Sequence, residues 1–451
     1  MGKVMEEKVS VLEKLSLSAG LAGQNVIYGF ISAFFMFFLT DLLGVSVAIA
    51  GIILTVASVF DAITDPIMGL IADRTRTRWG KFRPYLLFTP PMFAVAAVIC
   101  FTKFNLPLSG IVAIAMTAYV LCDLTYTFSD IPIWGMASVM HEDPKIKTSV
   151  ITWANFGATF GTVFVTVLGI QVLNLFGGER EPQAFFMTAL IFSITAAALM
   201  ICTGIFTRER VKSSEHPTPF KKNILAVVKN KPLLILLLSI FCVVMTINIR
   251  GTIQIYYSVY VVEDTNFMTY AGLALVIGIV IGLSAAPKLI AKFYKKYIFI
   301  AACIFNIIMS LIPYFLGYAN MWVSVGFIGV GFISVGVLNS LMPTLMMDCI
   351  DYGEWKLGFR SEGIVFSTRT FVSKLCAAIA RGATGLALVV LGFVVNVRQT
   401  PEVMQGLHGM MFLIPALLAA LAIIPMIFFP FTEDKRDAAM AELKEKEEIA
   451  D

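Results

Sequence analysis

Eight ionisable side chains fall inside long apolar segments of this chain: Asp61, Asp65, Asp123, Asp130, Arg250, Arg369, Lys374 and Arg381. Groups placed in this way are costly and face a partner or a cavity. Asp61 and Asp65 are four residues apart, so on a helix they share one face, with Thr64 beside them. Two carboxylates this close repel unless a cation or proton sits between them. Hard cations such as Na⁺ favour oxygen ligands, which carboxylates and hydroxyls supply. The pair fits a cation or proton site; the competing reading is that both pair with basic groups and lock helices together. Asp123, Thr127, Asp130 and Trp134 follow spacings that place them on one stripe of a second helix. A carboxylate can accept hydrogen bonds from two hydroxyls, and an aromatic ring can cover the apolar face of a pyranose. Carboxylate, hydroxyl and indole on one stripe is thus the chemistry of sugar binding, and buried polar groups that demand a partner give sharp specificity. Trp134 alone reads equally well as a packing or interface residue. Lys374 lies in an apolar segment with no carboxylate one turn away. Either it faces a cavity and pairs with the aspartate cluster, or it snorkels to the cytoplasmic interface.

The elements that carry these groups follow from composition. The chain has 451 residues, 58% hydrophobic and 14% charged, with mean hydropathy +0.84. Soluble domains are about 45–50% apolar and about 25% charged. A soluble enzyme, a disordered chain and a disulfide scaffold are excluded, which leaves a polytopic membrane protein. Twelve runs are long enough to span, near 20–40, 47–71, 84–103, 109–139, 149–175, 184–206, 233–260, 268–291, 296–317, 321–347, 362–395 and 406–430. They do not alternate as barrel strands would. The loops after even-numbered spans hold twenty Lys and Arg, five of them from Arg74 to Arg83 and seven from Arg208 to Lys231. Loops after odd-numbered spans hold three: Lys103, Arg180 and Arg398. This bias predicts that both termini are cytoplasmic. No cleavable signal peptide is expected at the N-terminus. The seven Cys include no CxxC pair and read as packing residues, and the three His form no ligand cluster. No nucleophile–base or metal set points to an enzyme.

The longest polar connection divides the spans six and six. The expected domains are a first six-helix bundle (1–207), a cytoplasmic middle loop (208–232), a second bundle (233–432) and a charged tail (433–451) read as a solvated helix or disordered end. An even number of spans per half gives both halves the same orientation, as in parallel repeats around a central cavity.

The segment Gly69 to Arg78, with Asp73-Arg74 four residues after the glycine, is similar to the loop motif of the major facilitator superfamily. Further segments run from Phe60 to Gly69, Arg78 to Pro84, Tyr126 to Trp134 and Asp351 to Lys356, with Lys374 beyond. Together with Lys14 and Gly23-Gln24-Asn25 they resemble the glycoside–pentoside–hexuronide:cation symporter family, which includes the melibiose carrier. The resemblance spans nearly the whole chain. It implies an all-α major facilitator fold of twelve transmembrane helices. It also implies import of a sugar by symport with Na⁺ or H⁺ through alternating access. Carried over, Asp61, Asp65, Thr127 and Thr64 form the cation site. Asp130, Trp134, Tyr126, Asn25, Asn155 and Lys374 face the sugar, and Lys374 also links the two sites. Asp73, Arg74, Lys147, Lys292, Asp348, Asp351, Glu354 and Arg360 form a cytoplasmic gate, with Asp348, Asp351 and Glu354 meeting Lys147, Lys292 or Arg360 in breakable ion pairs. The chain departs from the melibiose branch in having Gln24-Asn25 for Lys-Asp, Asn155 for Arg and Thr64 for Asn. These uncharged groups favour a neutral glycoside or pentoside and do not support an α-galactoside. A hexuronide, served by Lys374, and a lysolipid or other amphiphile are the alternatives. The expected partners are the sugar, the coupling cation and the bilayer of a plasma membrane (a bacterial inner membrane). No cofactor, resident metal or nucleic acid is expected, and the chain is read as a monomer.

Overall fold

The computed structural model describes residues 9–141, 143–210, 227–357 and 362–450. Among them are twelve helices long and apolar enough to cross a membrane, in the expected order. They are α1 (Val11–Phe37), α2 (Val47–Arg74), α3 (Arg83–Cys100), α4 (Leu108–Val139), α5 (Pro144–Leu175) and α6 (Pro182–Phe206). After the middle connection come α7 (Lys231–Tyr257), α8 (Asn266–Ile290), α9 (Lys295–Leu316), α10 (Met321–Leu357), α11 (Glu362–Val390) and α12 (Pro401–Ile427). A further helix, α13, spans Glu433–Ala450. The all-helical class is what lipid demands, since a helix satisfies its own backbone groups.

The chain forms two compact units. The first is Met1–Glu215 with Gly385–Val389 and Val394–Val397; the second is His216–Thr384 with Val390–Phe393 and Arg398–Asp451. Within the first, α1 packs on α5 and α6, α3 on α4 and α6, and α2 on α4. Within the second, α7 packs on α12, α9 on α10 and α12, and α8 on α10. The second set repeats most of the first, six helices on. Both leading helices also end in a π-helical turn, Phe38–Leu42 after α1 and Ser258–Val262 after α7. Small residues let backbones approach. Gly157 and Gly161 of α5 face the backbone of α1 at Ser18 and Ala22, and Gly278 and Gly282 of α8 face α10 at Gly329 and Ile333.

Several boundaries differ from the sequence reading. α1 starts at Val11 rather than near residue 20, because its early charges are satisfied: Ser10 and Glu13 form a capping box, Glu13 Oε1 accepts from Arg210 at 2.8 Å, and Lys14 Nζ donates to Ser149 Oγ at 2.9 Å. α10 runs on to Leu357, so Asp348, Asp351 and Glu354 are helical rather than a loop beyond residue 347. Arg250, flagged as an intramembrane charge, is 5% exposed. Its Nε donates to the Met411 carbonyl at 3.2 Å, an acceptor that Pro415 cannot serve because proline has no N–H. Its Nη2 donates to Ser310 Oγ at 2.8 Å, and its guanidinium lies over the Phe332 ring. Arg250 thus joins α7, α9, α10 and α12.

The helix ends carrying the basic loops are closed by a device used once in each unit. Glu209, just past α6, accepts from the backbone N–H groups of Lys81 (2.8 Å), Phe82 (2.7 Å) and Arg83 (3.2 Å) at the start of α3. In return, Arg83 donates to the Gly204 and Ile205 carbonyls at the end of α6. A carboxylate at a helix N-terminus and a cation at a C-terminus both complement the helix dipole. Gly80 is required here: its φ is +112°, and a Cβ would meet the Glu209 carboxylate. In the second unit Glu433 accepts from the Lys295 N–H at 2.7 Å, and Lys296 Nζ donates to the Ile427 carbonyl ending α12 at 2.6 Å.

The charged tail is α13, and it is docked rather than solvated on every side. Arg436 reaches Asp348 at 3.1 Å, the Trp355 indole donates to Glu442 Oε2 at 2.8 Å, and Ala439 is buried. Tyr294 donates to Asp434 Oδ2 at 2.9 Å, and that carboxylate raises the phenol pKa.

Two stability predictions follow from these contacts. Glu209→Ala uncovers three donors of α3 and should cost about 1–2 kcal/mol, read as a lower unfolding temperature in detergent; an unchanged midpoint would contradict the capping role. Asp348→Ala strands the buried Lys295 ammonium and should cost about 3–5 kcal/mol, whereas the double variant Asp348→Leu/Lys295→Met should recover much of that loss.

Candidate functional site

The candidate site lies in the first unit, where α2 packs on α4. That packing sets the Asp61–Asp65 face of α2 against Thr127. Thr127 is fully buried, and its Oγ1 lies 2.5 Å from Asp61 Oδ1 and 3.1 Å from Asp65 Oδ1. A hydroxyl has one hydrogen to donate and cannot serve both carboxylates fully. Two half-buried carboxylates and a hydroxyl therefore converge as a group of oxygens. Thr64, expected with them, donates its hydroxyl hydrogen to the Asp61 backbone carbonyl at 3.0 Å, so only its lone pairs remain for a cation. Among the described residues, no three His, Cys, Asp or Glu side chains are grouped as a resident metal would need.

The second group adjoins the first through Tyr126. Its phenol lies beside the Asp130 carboxylate, one turn along α4, and within electrostatic reach of Asp61. Trp134, one turn further, is half-buried and packs partly against the apolar cluster of Phe82, Leu86, Ile133 and Met136. Asn25 donates to the Leu21 carbonyl and Asn155, which is exposed, to that of Ile151, each at 2.9 Å. One amide hydrogen of each is thus held by its own helix.

Tyr28, absent from the sequence reading, and Gln24, entered there only as an uncharged group, stand beside Tyr126. Tyr28 of α1 stacks on its ring with centroids 4.4 Å apart. Gln24, one turn before Tyr28, is fully buried and donates to Ser129 Oγ at 3.3 Å. Their spacing of four on one helix was a visible signal, but nothing in it named α4 as the partner. Phe93 of α3 closes on the Tyr126 ring at 5.9 Å.

The remaining expected residues are dispersed. Lys374 is half-buried on α11 in the second unit. Of the expected gate, Arg74 and Lys292 are exposed, and Lys147 is half-buried. The Asp73 side chain and all of Arg360 lie outside the described residues. Asp351 and Glu354 are half-buried near the end of α10. Asp348 takes different partners from those expected. It is buried, 2.6 Å from Lys295 and 3.1 Å from Arg436, because the extension of α10 carries it beside α9 and α13. His408 is buried within α12, bonded to Tyr257 OH at 3.0 Å and to the Pro313 carbonyl at 3.1 Å.

Comparison with known proteins agrees with this architecture. A family described as MFS/sugar transport protein matches residues 16–433. A protein from Escherichia coli K12 described as a sulfoquinovose importer is 32% identical over 442 residues, covering 96% of this chain and 94% of its own. The isoprimeverose transporter of Lactiplantibacillus pentosus is 30% identical over 446 residues, covering 96% of this chain and 91% of its own. Among solved structures, a bacterial homologue of the human lysosomal transporter Spinster superposes with a TM-score of 0.63 at 12% identity, over 96% of this chain and 97% of its own, which is a likeness of fold. The chain is a multi-pass membrane transporter rather than an enzyme, and it belongs to the sugar-transport family of the major facilitator superfamily.

Proposed function

We propose that this transporter imports a sugar by symport with Na⁺ or H⁺ through alternating access, with both termini in the cytoplasm. The observation that carries the reading is the adjacency of two polar groups on α2 and α4: the Asp61–Asp65–Thr127 oxygen cluster and the Tyr126–Asp130 pair. A cation at the first group neutralises charge that would otherwise repel within the membrane. A sugar at the second finds a carboxylate acceptor with aromatic rings beside it. Occupation of one group therefore changes the field at the other, which is the physical requirement for coupling. Lys374 is retained as the coupling residue of the second unit on the family resemblance alone.

Uncharged Gln24, Asn25 and Asn155 on α1 and α5 support a neutral glycoside or pentoside, as does the isoprimeverose-transporting relative. The relative described as a sulfoquinovose importer favours a second reading, an anionic sugar. The two separate in proteoliposomes given isoprimeverose, a glucuronide and sulfoquinovose under Na⁺, Li⁺ or pH gradients. Gradient-driven uptake of isoprimeverose alone is the expected result; uptake confined to the anionic sugars would replace it with the second reading.

Asp61→Cys should abolish gradient-driven accumulation, and unchanged accumulation would remove Asp61 from the cation site. Thr127→Val removes a hydrogen bond to charged groups and should raise the half-saturating cation concentration roughly tenfold or more.

A further inference from the structure

Tyr126 stands between the two polar groups, so whatever fixes its ring decides how strongly one is felt at the other. Two contacts reach this region from α1, and a third lies within α4. The Tyr28 ring stacks on the Tyr126 ring at 4.4 Å with 23° between planes. Gln24, four residues earlier and so on the same face of α1, donates to Ser129 Oγ at 3.3 Å. Ser129 in turn donates to the Tyr126 backbone carbonyl at 2.8 Å. One α1 face thus grips both the ring and the backbone of Tyr126. Gln24 is 0% exposed, and its Oε1 has no hydrogen-bond partner among the described residues. A buried carbonyl without a partner is destabilising, and a leucine would fill this space without that cost. Stability alone therefore does not account for an amide at this position.

We propose that Gln24 and Tyr28 are positioning residues that hold the Tyr126 phenol between Asp130 and Asp61, so that cation occupancy at Asp61 and Asp65 is transmitted to Asp130 through Tyr126. The proposal rests on the cation reading of Asp61 and Asp65 given above. With the ring fixed, neutralising Asp61 alters the field at a phenol that stands beside Asp130, and no rearrangement dilutes the effect. With the ring free, Tyr126 can turn away and the link is lost. The required feature is the aromatic face of residue 28 together with the hydrogen bond to Ser129, not a charge on either residue.

The test uses the full-length protein with 3-fluorotyrosine at position 126 and reads its ¹⁹F signal during titrations with Na⁺, Li⁺ and H⁺ in the absence of sugar. In the otherwise wild-type protein the signal should move with one of these cations, and Asp61→Asn should abolish the movement. Tyr28→Phe keeps the ring and should leave the response intact. Tyr28→Leu should broaden the signal and weaken apparent cation affinity about threefold to tenfold, the range expected for loss of an aromatic pair. Ser129→Ala, a small change suited to folding where a Gln24 variant fails, should act in the same direction as Gln24→Leu. A cation response that survives unchanged in Tyr28→Leu and Ser129→Ala overturns the positioning role while leaving the cation site standing. Failure of Tyr28→Phe to preserve it assigns the role to the hydroxyl and overturns the stacking argument. No response to any cation in the wild-type background overturns the cation reading itself, and the transmission with it.

Discussion

A carboxylate in a membrane-spanning helix is costly unless it has a partner, and α2 carries two such groups on successive turns. A single threonine hydroxyl has one hydrogen and cannot serve both. The chain responds by placing α2 against α4, where Thr127 touches each carboxylate and Tyr126 carries the same electrostatic environment on to Asp130. Function and fold meet in this contact. The α2–α4 packing that buries Thr127 also brings the two carboxylates onto one hydroxyl, and the stripe that delivers Thr127 delivers Asp130 one turn later.

That arrangement needs helices whose ends do not drift, and the capping device at the basic loops supplies this. Each helix end leaves backbone donors or acceptors unmatched. In the first unit a carboxylate after α6 covers the start of α3, and an arginine at the start of α3 covers the end of α6. In the second, Glu433 and Lys296 do the same for α9 and α12. Two pairs of supporting helices are tied end to end by charges that complement their dipoles. The basic loop residues are therefore not orientation signals alone: Arg83 and Lys296 each close a helix, and Lys295 holds the buried Asp348.

Much of this was legible in the sequence, and the exceptions share a cause. Span count and order follow from apolar run length, and the carboxylate faces from a spacing of four. The boundaries that moved are those where a charge is satisfied by a distant residue. Glu13 reads as the edge of the membrane until Arg210, nearly two hundred positions later, is known to bind it. Asp348 reads as the end of a span until Lys295 and Arg436 enclose it. The tail reads as solvated because its charges are mixed, yet Glu433, Asp434, Arg436 and Glu442 each have a specific partner. Within the site, the stripe on α4 was visible because it is local. Tyr28 and Gln24 were not assigned roles because theirs depend on which face of α1 meets α4, and periodicity does not specify a partner.

The chemistry of that α1 face is itself informative. A lysine about 6 Å from a carboxylate would contribute roughly 3 kcal/mol at an effective dielectric of about 20. Such a fixed counter-ion would compete with any mobile cation for the same negative charge. Gln24 and Tyr28 hold Tyr126 by an amide hydrogen bond and a ring stack, neither of which adds a unit charge. The wall thus gains rigidity without adding a charge of its own. A bracket of this kind holds Tyr126 in place without a fixed charge, which on the proposed symport lets the charge balance of the carboxylates follow occupancy.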